Sequence, residues 1–582
     1  MTARQTTPPV TGIVGLGSTG EALLRLLHRA GHTLVAVDSD LDVLARTAGR
    51  LKAALEAEDA PQRPDVTFTA DHRALRAAGL VIEAVPEDPA VKRDVLGRIV
   101  ALCPPGTPVV TTTTSLSVAR LAVATGRPDD IAGLRLFTPP VAGSPAEPVR
   151  TALTSPDTAA AVDALVASAG LDPVAVGARP AADATALILP FLNRAVILFD
   201  EGYATPHDID TAMRLGCGLP AGPLETLDRI GLGTAHTALM ELWRRTGDCA
   251  FEPAPLLSRM VAAGRLGRTS GDGFYTYDET GAMAGRPAEG PGDTGAATVR
   301  RVGVLGSGAM ARGIAEVTAS AGYPTVLVAR TAEKAGQALR AVEESFTRGI
   351  RRGRVTVQTK DSARELLTGS PDMTALADCD LVIEAVAEDI DVKRAMFAAL
   401  AEVCPPGTVL ATTTSSLSVA ACADAAGRPA DVVGIHFFNP APVMKLVELA
   451  HTGRVDQKIL ATARAFCHTL GKTTVACPDR TGFIVNSLLF PYLGAALALL
   501  ERHDVDIEET DHAIRSGFGY PMGPFALLDT IGLDVSLAIQ HRLYESFQSP
   551  EHEPAAVLEE LVAAGLLGRK NGRGLRTWAT RR

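Results

Sequence analysis

Two residues in the second half of the chain could carry out acid–base chemistry. His436 lies near the end of VVGIHFF (432–438), and Glu448 lies in VMKLVEL (443–449). Both runs have the apolar, β-branched composition of strands, and an Asn-Pro step forms a turn between them. The turn brings the two side chains together, and a carboxylate beside an imidazole orients the ring and makes it a better proton acceptor.

Further polar side chains near these strands could hold a substrate oxygen. The run TTTSSL (412–417) supplies hydroxyl groups after another strand, and GFIVN (482–486) places Asn486 at the start of a helix. Helix capping is the commoner role of Ser and Asn, so both interpretations are open for these residues. A His–Glu pair can also be purely structural, and only the fold around it favours catalysis.

The elements that must position these residues belong to a tandem repeat. CPPGT occurs at 103–107 and 404–408, and LVIEAV occurs at 80–85 and 381–386, each time 301 positions apart. The glycine-rich loops are only 291 positions apart. The second half therefore has ten extra residues between its first helix and LVIEAV.

The first half begins with a loop typical of dinucleotide binding. Gly15, Gly17 and Gly20 follow a strand and open a helix, and Asp38 ends the next strand. Such glycines let the backbone approach a pyrophosphate at the helix N-terminus, and Asp38 could bind a ribose 2′-hydroxyl. This loop is predicted to bind NAD, and the alternative is a tight turn with no ligand.

The second half has a variant of the same loop. Gly306, Gly308 and Ala311 take the three loop positions, while Ala329 replaces Asp38 and Arg330 follows it. Loss of the carboxylate removes repulsion against a 2′-phosphate, and the guanidinium offers that phosphate a charge-assisted hydrogen bond. This half is predicted to prefer NADP. NAD binding with a merely solvated arginine is the alternative.

These signals predict α/β Rossmann-like domains plus all-α helical domains, duplicated in alternating order. Strands that alternate with helices indicate a parallel sheet in the first part of each half. The predicted parts are a Rossmann-like domain at 8–180, a helical domain at 181–278, a Gly-, Ala- and Pro-rich linker at 279–298, a second Rossmann-like domain at 299–479, and a helical substrate and dimerisation domain at 480–582.

Composition excludes several other classes of protein. The 582 residues are 46% hydrophobic and 21% charged, and the net charge of −10 argues against a nucleic-acid binder. Eight cysteines without a CxxC motif argue against a metal site and suit a reducing cytosol. The uncharged run 483–500 contains Asn486 and Pro491, so a buried helix is predicted rather than a membrane span. The expected location is the cytoplasm.

With these motifs in view, the chain resembles the L-3-hydroxyacyl-CoA dehydrogenase family, twice over and along nearly its whole length. The second half carries the glycine loop, LVIEAVAED with a later Lys, TSSL, HFFNP with a trailing Glu, GFIVN, GYPMGPF and GRKNGRG. The resemblance implies hydride transfer between carbon 3 of an acyl-CoA and a nicotinamide, interconverting a (3S)-3-hydroxyacyl-CoA and a 3-oxoacyl-CoA. It also implies dimerisation through the helical domain.

The resemblance assigns roles to particular residues of the second half. His436 is expected to take the proton of the 3-hydroxyl group, and Glu448 is expected to orient it. The residues expected to position the substrate oxygen and the nicotinamide are Ser415, Asn439 and Asn486. Those expected along the cofactor are Glu388 and Lys393. Two departures from the family pattern are Thr413, where Asn is usual, and Leu575-Arg576, where Phe-Tyr is usual.

The ten extra residues belong to a basic stretch. Its arginines are Arg348, Arg351, Arg352 and Arg354. In the family this stretch is a helical arm that leans over the CoA, and an acidic protein needs such a local patch to hold phosphates. A solvated charged helix is the alternative. The patch would also suit an acidic acyl carrier protein, so a carrier-bound thioester is a second candidate substrate.

The first half resembles a dehydrogenase that has lost its chemistry. Arg135 faces His436 in the repeat, and a guanidinium stays charged and cannot accept a proton. The other replacements are Thr138 for Asn439, Thr114 for Ser415 and Thr185 for Asn486. The glycine loop, Asp38, Glu87 and Lys92 are retained, so NAD binding is still predicted. Arg135 is expected to pair with Glu147, or alternatively to bind an anionic substrate in a different reaction.

The repeat also predicts how the two halves assemble. The helical part of the first half keeps GCGLPAGPLETLDRIGL (216–232), the surface through which family members pair. An intrachain pseudo-dimer of one active and one inactive copy is therefore expected, and a homodimer of whole chains is left open.

Two other interpretations are weaker. β-Hydroxyacid dehydrogenases use a Lys one helical turn before an Asn, but the run before Asn486 is TGFIV. A non-catalytic, crystallin-like protein would leave intact active-site motifs idle.

Overall fold

The computed structural model describes residues 10–57, 66–114, 116–136, 139–174, 184–278, 280–284, 295–503 and 505–577. The strands of the first half are β1 (Thr11–Val14), β2 (Leu34–Val37), β3 (Val66–Thr69), β4 (Leu80–Glu83), β5 (Val109–Thr111), β6 (Ile131–Leu136), β7 (Pro145–Val149) and β8 (Asp172–Pro173). Its sheet helices are α1 (Ser18–Arg29), α2 (Leu41–Ala57), α3 (Pro89–Leu102), α4 (Val118–Ala124) and α5 (Pro156–Ser168). The helices that follow are α6 (Ala184–Asp200), α7 (Pro206–Cys217), α8 (Pro223–Ile230), α9 (Leu232–Thr246) and α10 (Pro255–Ala262).

The second half repeats this order. Its strands are β9 (Val302–Leu305), β10 (Thr325–Val328), β11 (Leu367–Ser370), β12 (Leu381–Glu384), β13 (Val409–Thr412), β14 (Val432–Phe437), β15 (Leu446–His451) and β16 (Thr473–Pro478). Its sheet helices are α11 (Ala309–Ser320), α12 (Ala332–Arg351), α13 (Val357–Leu366), α14 (Ile390–Val403), α15 (Val419–Ala426) and α16 (Gln457–Thr469). The final helices are α17 (Val485–His503), α18 (Ile507–Phe518), α19 (Pro524–Ile531), α20 (Leu533–Phe547) and α21 (Ala556–Ala563).

Each half contains one eight-stranded sheet, which confirms the predicted fold class. The orders are β3-β2-β1-β4-β5-β6-β7-β8 and β11-β10-β9-β12-β13-β14-β15-β16. The central strands β1, β4, β9 and β12 are buried along their whole length, as expected for parallel strands covered by helices on both faces. In the first sheet β6 pairs antiparallel with β7, and in the second sheet β14 pairs antiparallel with β15. This reversal brings the predicted catalytic pair together.

The ten extra residues form a helical hairpin. In the first half the described part of the connection between β2 and β3 contains the helix α2, whereas α12 and α13 together connect β10 and β11. Arg348 and Arg351 lie in the last turns of α12, and Arg352 and Arg354 lie in the turn that follows. All four side chains are exposed. A charged hairpin turn of this kind is available to an anionic partner.

The two halves pack against each other through their helical domains. Helix α6 packs on α17, and the rings of Phe191 and Tyr492 lie 5.5 Å apart. A Cβ atom at Gly218 would lie 3.3 Å from Cγ of Pro521, and one at Gly519 would lie 3.3 Å from Cγ of Pro220. These contacts are reciprocal between matching positions, as in an interface with two-fold symmetry. The chain is thus an internal pseudo-dimer.

Polar contacts across this interface reach the end of β16 and the start of α17 in the second half. Arg194 Nε donates to the carbonyl oxygen of Ser487 at 3.2 Å, and Tyr203 Oη donates to that of Pro478 at 3.0 Å. Arg480 forms an ion pair with Glu201 at 2.6 Å. The first half therefore supports the segment 478–487 of the second half.

Both described ends of the predicted linker, 279–298, make contacts with the neighbouring domains. Met283 forms a β-bridge with Tyr277, so the first helical domain continues to the described residues 280–284. At the other end, the backbone N–H of Ala297 donates to Oγ1 of Thr462 at 2.8 Å. Local hydrogen bonds thus tie the described ends of this region to the flanking domains, and residues 285–294 lie outside the described residues.

The uncharged run 483–500 lies mainly in α17, which packs between helices of both halves and whose central side chains are buried. Within the described part of the chain, no helix has the length and apolarity needed to span a bilayer.

Contacts in the second helical domain explain why Arg576 can stand where the family usually has Tyr. Arg576 forms an ion pair with buried Asp511 at 2.6 Å. In the first half the hydroxyl of Tyr275, at the matching position, donates to Asp210 at 2.9 Å. Either residue supplies the donor that a buried carboxylate needs.

Candidate active site

The central feature of the site is a buried imidazole–carboxylate pair. His436 on β14 and Glu448 on β15 are directly opposite each other in the antiparallel register, and Nδ1 lies 2.7 Å from Oε2. His436 is 7% exposed and Glu448 is fully buried. Since Nδ1 contacts the carboxylate, Nε2 is the nitrogen available to a substrate. The pair predicted from the sequence is confirmed.

The second oxygen of Glu448 is held by the start of α17. The backbone N–H groups of Ile484 and Val485 donate to Oε1 at 3.0 and 2.9 Å. N–H groups at the start of a helix have no acceptor within the helix and are available to a side chain. The helix dipole also favours a negative charge there. The carboxylate is therefore fixed in position, and only Oε2 faces the imidazole.

Two phenylalanine rings enclose the imidazole. The ring centroids of Phe438 and Phe483 lie 4.6 and 5.6 Å from that of His436. Phe483 has a positive φ of 46°, in the left-handed region that non-glycine residues seldom adopt. The unusual backbone directs a large side chain beside the catalytic candidate, where it excludes water.

A second polar network lies at the ends of β12 and β13. Thr414 Oγ1 and the backbone N–H of Ser415 donate to Oε1 of Glu388 at 2.6 and 2.8 Å. Burial opposes ionisation of Glu388. The opposing effects of Lys393 and of these hydrogen bonds are together larger, and they hold the pKa of this carboxyl below its ordinary value. A fixed negative charge thus lies beside Ser415.

Lys393, which the family resemblance places along the cofactor, is buried against two carboxylates. Its side chain is 1% exposed, and Nζ contacts both oxygens of Glu384, at 2.8 and 3.0 Å. Nζ is also 3.4 Å from Oε2 of Glu388. A buried lysine needs such partners. Its contact with Glu388 suits it to support that carboxylate.

One residue of this network was missed in the sequence. Arg542 on α20 donates from NH1 to Oγ of Ser416 at 2.7 Å and from NH2 to the carbonyl oxygen of Glu388 at 2.8 Å. It joins the helical domain to the loop that carries Ser415. The first half has Glu241 at the matching position, so this clamp is specific to the second half.

The glycine loops fit a dinucleotide in both halves. Gly306 adopts φ +139°, and a Cβ atom there would lie 2.3 Å from the carbonyl oxygen of Ala385. Gly308 and Gly17 begin α11 and α1, and a Cβ atom at either would meet nothing within 4 Å. This open space above a helix N-terminus is where a pyrophosphate can approach the backbone.

Comparison with known proteins identifies the family. The family model for the NAD binding domain of 3-hydroxyacyl-CoA dehydrogenase matches residues 10–179 and 301–480 of the chain. The family model for the C-terminal domain of the same enzyme matches residues 184–277 and 482–578. The chain belongs to the 3-hydroxyacyl-CoA dehydrogenase family. It is an oxidoreductase of this kind, and it binds a nicotinamide dinucleotide.

Several relatives of the dehydrogenase match about half of the chain. A 3-hydroxybutyryl-CoA dehydrogenase of Mycobacterium tuberculosis is 44% identical over 283 residues, which cover 48% of this chain and 99% of the relative. The human mitochondrial hydroxyacyl-coenzyme A dehydrogenase is 39% identical over 285 residues, covering 47% and 90%. A solved structure of a 3-hydroxybutyryl-CoA dehydrogenase from Escherichia coli K12 covers 96% of this chain and all of its own, at 21% identity and a TM-score of 0.60. This last likeness supports the fold of both halves.

The other predicted site residues of the dehydrogenase lie on separate segments of the second half. Asn486 is buried in the first turn of α17, directly after the N–H groups that hold Glu448. Asn439 is exposed in the turn after β14. The N-cap of α15 is Ser418, so the capping alternative for Ser415 is wrong. Arg330 is exposed directly after β10.

The first half of the dehydrogenase retains the supports but not the base. Arg135 NH1 donates to Oε2 of Glu147 at 3.0 Å, in the register that His436 and Glu448 occupy in the second half. The pairing expected from the sequence is thus confirmed. Thr114 donates its backbone N–H to Glu87 at 2.9 Å, and Lys92 contacts Glu83 at 2.8 Å.

The remaining first-half positions complete the comparison. Asp38 Oδ2 accepts a hydrogen bond from the backbone N–H of Leu16, within the glycine loop, at 2.8 Å. Thr185 is buried at the start of α6, whereas Thr138 lies outside the described residues. No group of three His, Cys, Asp or Glu side chains in the described ranges is arranged to hold a metal ion.

Proposed function

We propose that the second half catalyses the interconversion of a (3S)-3-hydroxyacyl-CoA and a 3-oxoacyl-CoA, with His436 as the general base and acid. The observation that carries this assignment is the buried contact of 2.7 Å between Nδ1 of His436 and Glu448, in the half with the complete set of polar residues. The nicotinamide, when bound, supplies or takes the hydride at carbon 3.

Side chains of the protein would transfer the proton and align the substrate with the cofactor. In the oxidative direction Nε2 of His436 accepts the proton of the 3-hydroxyl group, while Glu448 stabilises the imidazolium that forms. In reduction the same nitrogen returns the proton. Ser415 and Asn486 would hold the substrate oxygen and the carboxamide of the cofactor, and Asn439 would border the site at the turn. Phe438 and Phe483 keep the reacting atoms away from water.

The substrate thioester would be bound by the charged hairpin. Arg348, Arg351, Arg352 and Arg354 stand exposed near one turn and can contact the phosphates of CoA. The relatives named for 3-hydroxybutyryl-CoA and 3-hydroxyadipyl-CoA support a CoA thioester. An acyl carrier protein remains a second candidate, and the two are separated by comparing kcat/KM for the same acyl group on each carrier.

The dinucleotide sites of the two halves would differ in the cofactor that they bind. Asp38 suits the ribose 2′-hydroxyl of NAD in the first half, and its replacement by buried Ala329 with exposed Arg330 suits a 2′-phosphate in the second. The second half would therefore use NADPH in preference to NADH. The first half would bind NAD without turnover and support the second through their shared interface.

The assay for this proposal is acetoacetyl-CoA reduction by the purified chain, with NADH and NADPH compared. Arg330→Asp should lower kcat/KM for NADPH by roughly 10–100-fold, the effect of losing a charged hydrogen bond, and spare NADH. The matched control is Arg330→Ser, which copies Ser39 of the first half and removes the guanidinium without adding repulsion. An unchanged preference would refute the 2′-phosphate contact, and no turnover with either cofactor would refute the proposed reaction.

A further inference from the structure

The proline inside α17 leaves one backbone carbonyl without a donor from its own helix. A helical carbonyl accepts from the N–H group four positions later, and the residue four positions after Ser487 is Pro491, which has no N–H. In its place Nε of Arg194, on α6 of the first half, donates to the carbonyl oxygen of Ser487 at 3.2 Å. An arginine of the first half thus completes the backbone hydrogen bonding of a helix in the half that carries His436.

The guanidinium of Arg194 is held by two further side chains of the second half. NH1 forms an ion pair with Glu551, and NH2 lies 3.3 Å from Nε2 of His552. Burial and the neighbouring charge of Arg194 lower the pKa of His552 to about 4, so the ring is neutral at neutral pH and Nε2 can accept from the guanidinium. Each of the three guanidinium nitrogens therefore has a contact across the interface, which fixes the direction of Nε toward Ser487.

Ser487 is in turn bonded to the helical turn that holds the carboxylate of the imidazole–carboxylate pair. Its hydroxyl group donates to the carbonyl oxygen of Ile484 at 3.0 Å. The backbone N–H of Ile484 donates to Oε1 of Glu448 at 3.0 Å, and Oε2 of Glu448 contacts His436 at 2.7 Å. A continuous series of hydrogen bonds therefore joins Arg194 in one half to the imidazole in the other.

This contact departs from the two-fold symmetry of the interface. The contacts of the glycine and proline positions described above are reciprocal, but Arg194 is matched in the second half by Ala495, whose methyl group cannot donate a hydrogen bond. The two side-chain partners of Arg194 are matched in the first half by Ala250 and Phe251, which offer no polar side-chain atom. The arginine and its partners are thus present in the one orientation that serves the half with the base.

We propose that Arg194 is a positioning residue for the reaction of the second half, an inference that rests on the proposed function. Arg194 supplies the donor that Pro491 lacks and so fixes the first turn of α17. Through that turn it holds the carboxylate of Glu448, and with it the orientation of His436. The first half would then act on the catalysis of its neighbour, although its own base position is occupied by an arginine.

The test replaces Arg194 by Met in the full-length chain, because Met fills much of the same space but cannot donate a hydrogen bond. Steady-state oxidation of 3-hydroxybutyryl-CoA should show kcat lowered by roughly 10–100-fold, the effect of a small displacement of a catalytic group, with KM changed much less. The matched control is Glu551→Gln, which removes the ion pair at the same guanidinium but keeps the donor to Ser487. Its kcat should stay close to that of the wild type.

Hydrogen exchange of the backbone amides in 478–490 provides a readout that needs no turnover. Exchange in this segment should be faster in Arg194→Met than in the wild type, and Glu551→Gln should stay near the wild-type rate. Absence of turnover in the wild-type chain would refute the proposed reaction, whereas unchanged exchange in Arg194→Met would refute the positioning itself. Wild-type kcat in a folded Arg194→Met chain, or an equal loss of kcat in Glu551→Gln, would also overturn the proposal.

Discussion

Replacement of His436 by Gln should lower kcat for 3-hydroxybutyryl-CoA oxidation by about 10²–10⁴-fold, the range attributed to a positioned general base. Glutamine fills a similar volume and can contact Glu448, but its amide cannot accept the proton of the 3-hydroxyl group. Because the substrate and cofactor contacts are retained, KM for both should change much less than kcat. The measurement is steady-state oxidation followed by cofactor absorbance.

A fall in kcat of less than tenfold would contradict the role of His436. The melting temperature of the variant is the necessary control, because the imidazole packs between Phe438 and Phe483. A folded variant with normal KM and depressed kcat would locate the loss in the chemical step.

Replacement of Glu448 by Gln should lower kcat by roughly 10³-fold through the tautomer of His436. The N–H groups of Ile484 and Val485 donate to Oε1, so the amide oxygen of Gln must take that position. The amide NH₂ group then faces Nδ1 and donates to it. The ring proton is forced onto Nε2, the atom that should accept the substrate proton.

The repeat offers a matched control for this substitution. Glu147→Gln makes the same change at the matching position of the first half, where the partner is Arg135 at 3.0 Å. It weakens a buried ion pair and should lower stability, which melting measures, by an amount up to the roughly 3–5 kcal/mol of a broken pair. Its kcat per folded chain should equal that of the wild type. Equal loss of turnover in both variants would contradict a tautomer effect confined to the second half.

The sequence was sufficient to predict the architecture and the contact between His436 and Glu448 because both depend on short patterns. Strand composition and an intervening turn place His436 opposite Glu448, and a two-residue period in a sheet fixes which side chains face one another. The repeat made the prediction stronger, since Arg135 and Glu147 occupy the same register. Arg135 stands at the position that His436 occupies in the second half, and this difference identified the first half as the one that lacks a base.

The support around the site could not be predicted in the same way. Arg542 is more than one hundred positions from Ser416 and Glu388, and no local pattern indicates that α20 packs on their loop. The burial of Lys393 against Glu384 depends on how α14 lies relative to β12. Such contacts follow from tertiary packing, which a single sequence does not display.

The most direct test of one catalytic half per chain uses the two glycine loops. Gly17 and Gly308 have extended backbone angles that valine can adopt, and a side chain at either would enter open space beside the helix N-terminus. Valine at either position would therefore obstruct the pyrophosphate with little strain on the fold. Acetoacetyl-CoA reduction should fall at least tenfold in Gly308→Val and stay at the wild-type rate in Gly17→Val. A comparable loss in Gly17→Val, or normal turnover in a folded Gly308→Val chain, would contradict the assignment of catalysis to the second half.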